Sequence, residues 1–298
     1  MITKPKRPTN YLNNRDILKE IHTSKNTYCS FTLPEYHRYD LIIDMPDSPL
    51  EASLKYASKN DQIKAAKEVR AARLSQETGE KVTTKDIPKE DLIFRVMTWD
   101  HIPVAQKQPR KSAKKKTAKD ILIFSDDEDE IEDFSDLEDK STKDEVDDMV
   151  HHKVNFPPFQ HFKMDNTGTF ICVGKSHWKG GMANGHFSKD HGQITDKLAR
   201  MYMMLCEKYA MKFNWRGYTY NDEMRNSAIL QLTYVGLRFN EAKSANPFAY
   251  YTAAITNSFC RVLNTEKRNQ NIRDDILEMN GLNPSFTRQM RDMKMQID

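Results

Sequence analysis

Long apolar runs are missing from this chain. Nowhere in its 298 residues do eighteen apolar side chains follow one another, so no membrane-spanning helix is expected. The opening residues, MITKPKRPTNYLNNRD, lack the apolar stretch of a secretory signal, and a soluble, intracellular protein is expected. Cysteine is scarce. Cys29, Cys172, Cys206 and Cys260 are scattered without any C-x-x-C pair, which argues against a disulfide framework or a zinc knuckle and for reduced, mostly buried thiols. No G-x-x-x-x-G-K-[ST], G-x-S-x-G or H-E-x-x-H occurs, and the glycines of VGKSHWKGGMANG do not have phosphate-loop spacing. His151, His152, His161, His177, His186 and His191 lie near one another in sequence. No two of them hold an i, i+4 spacing on a helix with acidic companions, so neither a metal nor a cofactor is expected.

Apolar material is limited overall. Hydrophobic residues make up 38% of the chain against 30% charged, with a mean hydropathy of -0.78, too little to bury all of it. The net charge of +3 conceals two opposed blocks: KQPRKSAKKKTAK at 107–119 is basic and SDDEDEIEDFSDLED at 125–139 is acidic. Like charges repel and few apolar groups offset chain entropy there, so 105–150 is expected to be a disordered linker. Within the acid, Ile131, Phe134 and Leu137 give the form of a short peptide that docks in a partner's groove.

Upstream, NNRDILKEIHTSK carries an Asn cap signal and brings Ile17, Leu18 and Ile21 to one helix face. The Ala-, Lys- and Glu-rich stretch that starts at DSPLEASLK predicts one long helix up to the Gly near residue 79. DLIFRVMTWDHI (91–102) and GTFICVGKSHW (168–178) are β-rich and expected to pair with each other. From about residue 192 the helical period sharpens. Thr195 or Asp196 caps a helix whose Leu198, Met201, Tyr202, Leu205, Cys206 and Tyr209 form one apolar stripe. A second helix runs through DEMRNSAILQLTYVGLRF, and Pro247 opens a third. These three predict a small bundle with Phe213, Phe239, Phe259 and Val262 as core candidates. Phe248, Tyr250 and Tyr251 fall among four consecutive residues, and with about 100° between neighbours they are not expected to share one core face. An exposed ring there, followed along the helix by Asn257, Ser258, Arg261, Lys267, Arg268 and Arg273, would suit single-stranded nucleic acid, with rings stacking on bases and cations following phosphates. A protein-docking surface competes with that reading.

At these residues DEMRNSAILQLTYVGLRFNEAKSANPFAYYTAAITNSFCRVLN resembles region 2 of bacterial sigma factors. More narrowly, HWKGGMANGHFSKDHGQITDKLARMYMML, NWRGYTYNDEM, EKRNQNIRDD and the opening NYLNNRDILKEIH are similar to the late-transcription sigma factors of T-even-type tailed phages, cyanobacterial phages included. The matched segments cover roughly 10–30 and 174–290. The resemblance implies a non-catalytic factor in the cytoplasm of an infected bacterium that binds host RNA polymerase core and recognises and helps to melt a -10-like late promoter element. It places core binding on Glu223, Asn226, Ser227 and Leu230, and base capture on Phe248, Tyr250 and Tyr251. Reading of the duplex and the non-template strand falls on Asn257, Ser258 and Arg261, extended by Lys267 and Arg268 toward the backbone.

Ala254 and Ile255 stand where housekeeping factors carry paired tryptophans, so unaided melting is expected to be weak. RQMRDMKMQID does not have the acidic and hydrophobic character of the family's clamp-binding peptide, and neither that peptide nor a -35-reading domain is expected. Phe134 and Leu137 are expected to replace that peptide as the contact to a sliding clamp or late co-activator. The implied fold is mainly α, with an α+β part at 1–104, the disordered linker at 105–150 and a strand and loop connector at 151–191. A sigma region-2-like helical domain follows at 192–285, and a flexible tail at 286–298. Two other classes compete: a virion structural or assembly protein, and a nuclease, which the lack of an acidic or His cluster near the aromatics disfavours.

Overall fold

The protein is described as a computed structural model over residues 12–45, 47–105 and 151–295. Phe134, Leu137 and nearly all of the charged linker lie outside the described residues. The described residues divide between two units, one holding 12–45, 47–101 and 154–295 and the other 102–105 and 151–153. In the second, Val104 and His151 form an antiparallel bridge, and the His152 N–H donates to the Pro103 carbonyl at 3.1 Å.

The first unit mixes helix and sheet: the expected C-terminal helices and the α+β character of the N-terminal part are present, and the sheet is more extensive than a mainly α fold implies. Among the described residues, seven helices accompany a five-stranded sheet and a two-stranded one. The large sheet runs β1 (Cys29–Phe31), β5 (Phe170–Ser176), β4 (Phe159–Met164), β3 (Ile93–Met97), β2 (Leu41–Asp44). Only β2 and β3 are parallel. The two β-rich runs are both strands, but β4 lies between them, so they do not pair with each other. The small sheet joins β6 (Trp178–Lys179) to β7 (His186–Phe187).

Alternation along β3 and β4 divides the core. Phe94, Val96, Phe162 and Met164 pack with Ala57, Ile63 and Ala66 of helices α2 (Leu50–Ala57) and α3 (Asn60–Thr78). Met97 and Phe159 pack instead with Ile17 and Ile21 of α1 (Asn14–Asn26) and with the C-terminal helices. The single long helix expected before Gly79 is thus two. Ala57 and Ile63 both reach the same core, whereas on one straight helix six residues advance by about 600°, leaving them about 120° apart. The break at Ser58–Lys59 re-aims the second helix, which ends at Gly79 with a left-handed φ of 76°. α1 shares its core with residues 198–259, so the N-terminal part is not separate from the helical one.

A cationic side chain is buried between the layers. The Arg95 guanidinium lies 3.9 Å from the Tyr39 ring centre and 3.8 Å from that of Phe159, and its Nε donates to His161 Nε2 at 2.9 Å. The other ring nitrogen, Nδ1, donates to the Tyr36 carbonyl at 2.7 Å. Burial and the Arg95 charge hold His161 well below its ordinary pKa, so it stays neutral.

A second set of buried histidines surrounds Ser176. Ser176 Oγ accepts from the Phe159 N–H at 2.9 Å, and His177 Nδ1 and His101 Nε2 lie 3.1 and 3.3 Å from it. Burial, then mutual repulsion, pushes His177 down to about 3; burial and Lys175 push His101 down to about 4. Lowered folded-state values mean that the stability from keeping both neutral is complete above about 6.5 and is lost as pH falls toward 4 and 3. The unfolding free energy from urea titrations is expected to fall below pH 6.5 with a slope of about 1.4 kcal/mol per pH unit from His177, and less from the partly exposed His101. His177→Asn, which tolerates the left-handed φ of 55°, should flatten that slope; an unchanged slope would refute the assignment.

Candidate functional site

Three helices carry the sequence-predicted residues. α4 (Asp196–Ala210) begins where Thr195 Oγ1 accepts from the Leu198 N–H at 3.3 Å, and it buries Leu198, Met201, Tyr202, Leu205 and Cys206 as its spacing requires. α5 (Asn221–Val235) buries Met224, Ala228, Leu232 and Val235, then tightens into a 3-10 turn over Gly236–Arg238. Only glycine fits at the turn, because a Cβ on Gly236 would stand 2.1 Å from the Tyr202 hydroxyl oxygen. α6 (Pro247–Met279) starts with proline in its first turn and Asn246 Oδ1 accepting from the Ala249 N–H at 3.1 Å. Asn14 Oδ1 accepts the Phe248 N–H at 3.1 Å, tying α1 to the same helix start.

The aromatic run at the start of α6 is not an open stacking surface. Tyr251 is fully buried; its hydroxyl donates to the Gly236 carbonyl at 2.9 Å and lies 3.2 Å from that of Tyr202, whose ring meets it edge-on. The Tyr250 hydroxyl donates to the Val235 carbonyl at 3.0 Å, and Tyr250 and Phe248 are half-buried against the same core. The expectation of an exposed ring fails for a simple reason. The helix start is enclosed by α1, α4 and the turn after α5 together, so side chains pointing in different directions each meet a different neighbour. Base capture by Tyr251 is therefore corrected to a core role in this conformation. Phe259 and Phe239 are buried as expected, Val262 is half-buried, and Phe213 is 81% exposed instead of core.

The polar positions divide between inside and outside. Ser227 and Ser258 face each other with their hydroxyl oxygens 3.1 Å apart, and Ser258 is buried, so this pair joins α5 to α6 and does not face a ligand. Glu223, Asn226 and Leu230 lie outward at three- and four-residue spacing, continued by Tyr234; Leu230 and Tyr234 are each 56% exposed. On α6, Ala249, Ala253, Asn257, Arg261, Asn264 and Arg268 follow one another along an exposed stripe, with Lys267 beside it.

Sequence reasoning missed two features. Tyr234 extends the α5 stripe, a signal present in the i, i+4 repeat from Leu230. The α4–α5 loop carries two exposed aromatics, Phe213 and Tyr218, while Trp215 packs edge-on against Phe259 at 5.3 Å. Its backbone is fixed by Asn221 Nδ2, which donates to the Ala210 and Trp215 carbonyls at 3.1 and 2.8 Å.

The stretch expected as a flexible tail carries α7 (Phe286–Met295). Asp274 holds it, accepting from the Ser285 N–H at 2.8 Å and from its hydroxyl at 2.7 Å. Among the described residues no group of three or more His, Cys, Asp or Glu is placed to hold a metal, and no helix is long and apolar enough to cross a membrane. The chain matches no protein-family model, no curated protein and no solved structure.

Proposed function

We propose that this chain is a sigma-like transcription initiation factor, without catalysis of its own, that acts in the cytoplasm of a phage-infected bacterium. In this reading α5 docks on host RNA polymerase core through Glu223, Asn226, Leu230 and Tyr234. α6 meets a -10-like promoter element through Asn257, Arg261, Lys267 and Arg268. The α5 stripe is the observation that carries it. Leu230 and Tyr234 stand one helical turn apart, more than half exposed, on a helix whose core is already completed by Met224, Ala228 and Leu232. Folding does not require apolar groups there, whereas a partner that covers them gains their burial. The resemblance of the surrounding sequence to sigma region 2 supplies the partner. Phe134 and Leu137 keep the role proposed from sequence, a contact to a sliding clamp or late co-activator.

Retention on immobilised core polymerase, purified from a cyanobacterium and from an enterobacterium, tests the reading. The wild-type chain should be retained by at least one of them. Leu230→Asp should lose at least tenfold in affinity, about 1.4 kcal/mol, while its urea midpoint stays unchanged. Undiminished retention of the folded variant, or no retention of the wild type by either polymerase, would sink it.

A structural or assembly role is favoured by a different observation. Ile272, Ile276 and Met279 of α6 and Phe286, Met290 and Met293 of α7 form exposed apolar stripes that also suit a protein partner. Co-purification with polymerase separates the two.

A further inference from the structure

We propose that the α4–α5 loop is a single-stranded nucleic-acid contact in its own right, taking an unpaired base on Phe213 and Tyr218 and the neighbouring phosphates on Lys212 and Arg216. The site lies outside the α6 stripe and does not rest on polymerase binding. Its first support is the pairing of ring with cation. The Arg216 guanidinium lies 5.2 Å from the Phe213 ring centre, and Lys212 Nζ lies 3.9 Å from that of Tyr209. Its second is charge. The loop itself, 211–220, holds two cations, Lys212 and Arg216, and no acid, so its surface favours phosphate.

Its third support is rigidity. Trp215 packs against both Tyr209 and Phe259, and Tyr218 follows it at 6.2 Å, then Tyr220 at 5.3 Å, so Trp215, Tyr218 and Tyr220 form an ordered base beside the exposed Phe213 before any ligand arrives. Asn221 fixes the backbone beneath them. Phe213 is the most exposed aromatic ring among the described residues that stand beside a guanidinium, and burying it is no part of the fold. A face of planar rings interleaved with lysine and arginine suits bases better than a protein groove, where lysine is depleted.

The loop also lies against the α6 surface. Tyr209 shares a hydrogen bond with Thr256 at 2.5 Å and Trp215 packs on Phe259, so a strand seated here would continue past residues 256–259. The full-length protein alone, titrated against a fluorescein-labelled dT12 and an abasic strand of the same length, tests the proposal. The wild type should bind dT12 more tightly than the abasic strand. Phe213→Ala should weaken dT12 binding on the order of tenfold and leave the abasic strand unaffected. Lys212→Ala with Arg216→Ala should weaken both strands and lower the salt slope by roughly 0.7 for each phosphate that is no longer neutralised. Equal binding of the two strands by the wild type, or unchanged dT12 binding by Phe213→Ala, would overturn the proposal. So would a Phe213→Ala variant that no longer holds polymerase yet binds dT12 as before, since the loop would then be a protein-binding surface.

Discussion

Tyr251→Ala is expected to lower folding stability by about 3–5 kcal/mol, the range for removing a large buried aromatic side chain. The ring is fully buried against Tyr202 and its hydroxyl donates to the Gly236 carbonyl, so the variant leaves a cavity and orphans two buried polar groups. Tyr251→Phe isolates the second effect. It fills the space but leaves the Gly236 carbonyl and the Tyr202 hydroxyl one partner short, costing about 1–3 kcal/mol. Urea unfolding of the three proteins checks the order. A stable Tyr251→Ala variant that instead fails to open a promoter would return this residue to base capture, with a conformation in which it leaves the core.

Glu241→Ala is expected to cost about 3–5 kcal/mol, because it strands the Lys25 ammonium in the interior. Lys25 is almost fully buried, and its Nζ donates to both Glu241 carboxylate oxygens at 2.9 and 2.8 Å and to the Phe239 carbonyl at 2.7 Å. Burial alone would raise the Glu241 pKa, but Lys25, Arg95 and His22 outweigh it and hold the carboxyl down to about 2. A depressed folded-state value means that this stability is present above about 4.5 and disappears as pH falls toward 2. The double variant Lys25→Met with Glu241→Leu should recover most of the deficit at pH 7, since it removes both charges and keeps apolar volume. Chemical denaturation at pH 7 and 3 checks both points. Equal stability of Glu241→Ala and wild type at pH 7 would show that the pair does not hold α1 to the α5–α6 connection.

What the sequence determined by itself is local. Apolar spacing in α1 and α4, the Thr195 cap and Pro247 at the start of α6 depend on neighbours three or four residues away, so they are legible without a fold. The β-rich runs at 93–97 and 170–176 are legible for the same reason. Exposure of Glu223, Asn226 and Leu230 on α5 also follows a helical period.

Tertiary structure decided everything that depends on what arrives from far along the chain. β4 sits between the two expected partner strands, and α1, more than 170 residues upstream in the Ser24–Thr195 contact, encloses the helical core. That enclosure turned Tyr251 from a candidate surface ring into a core residue, and the approach of α5 to α6 turned Ser227 and Ser258 inward. It also buried Arg95 between Tyr39 and Phe159, a placement that no local pattern announces. Periodicity tells which side chains share a face; the partner that covers the face is set by burial across the whole chain, because the hydrophobic effect has no direction and counts only what is removed from water.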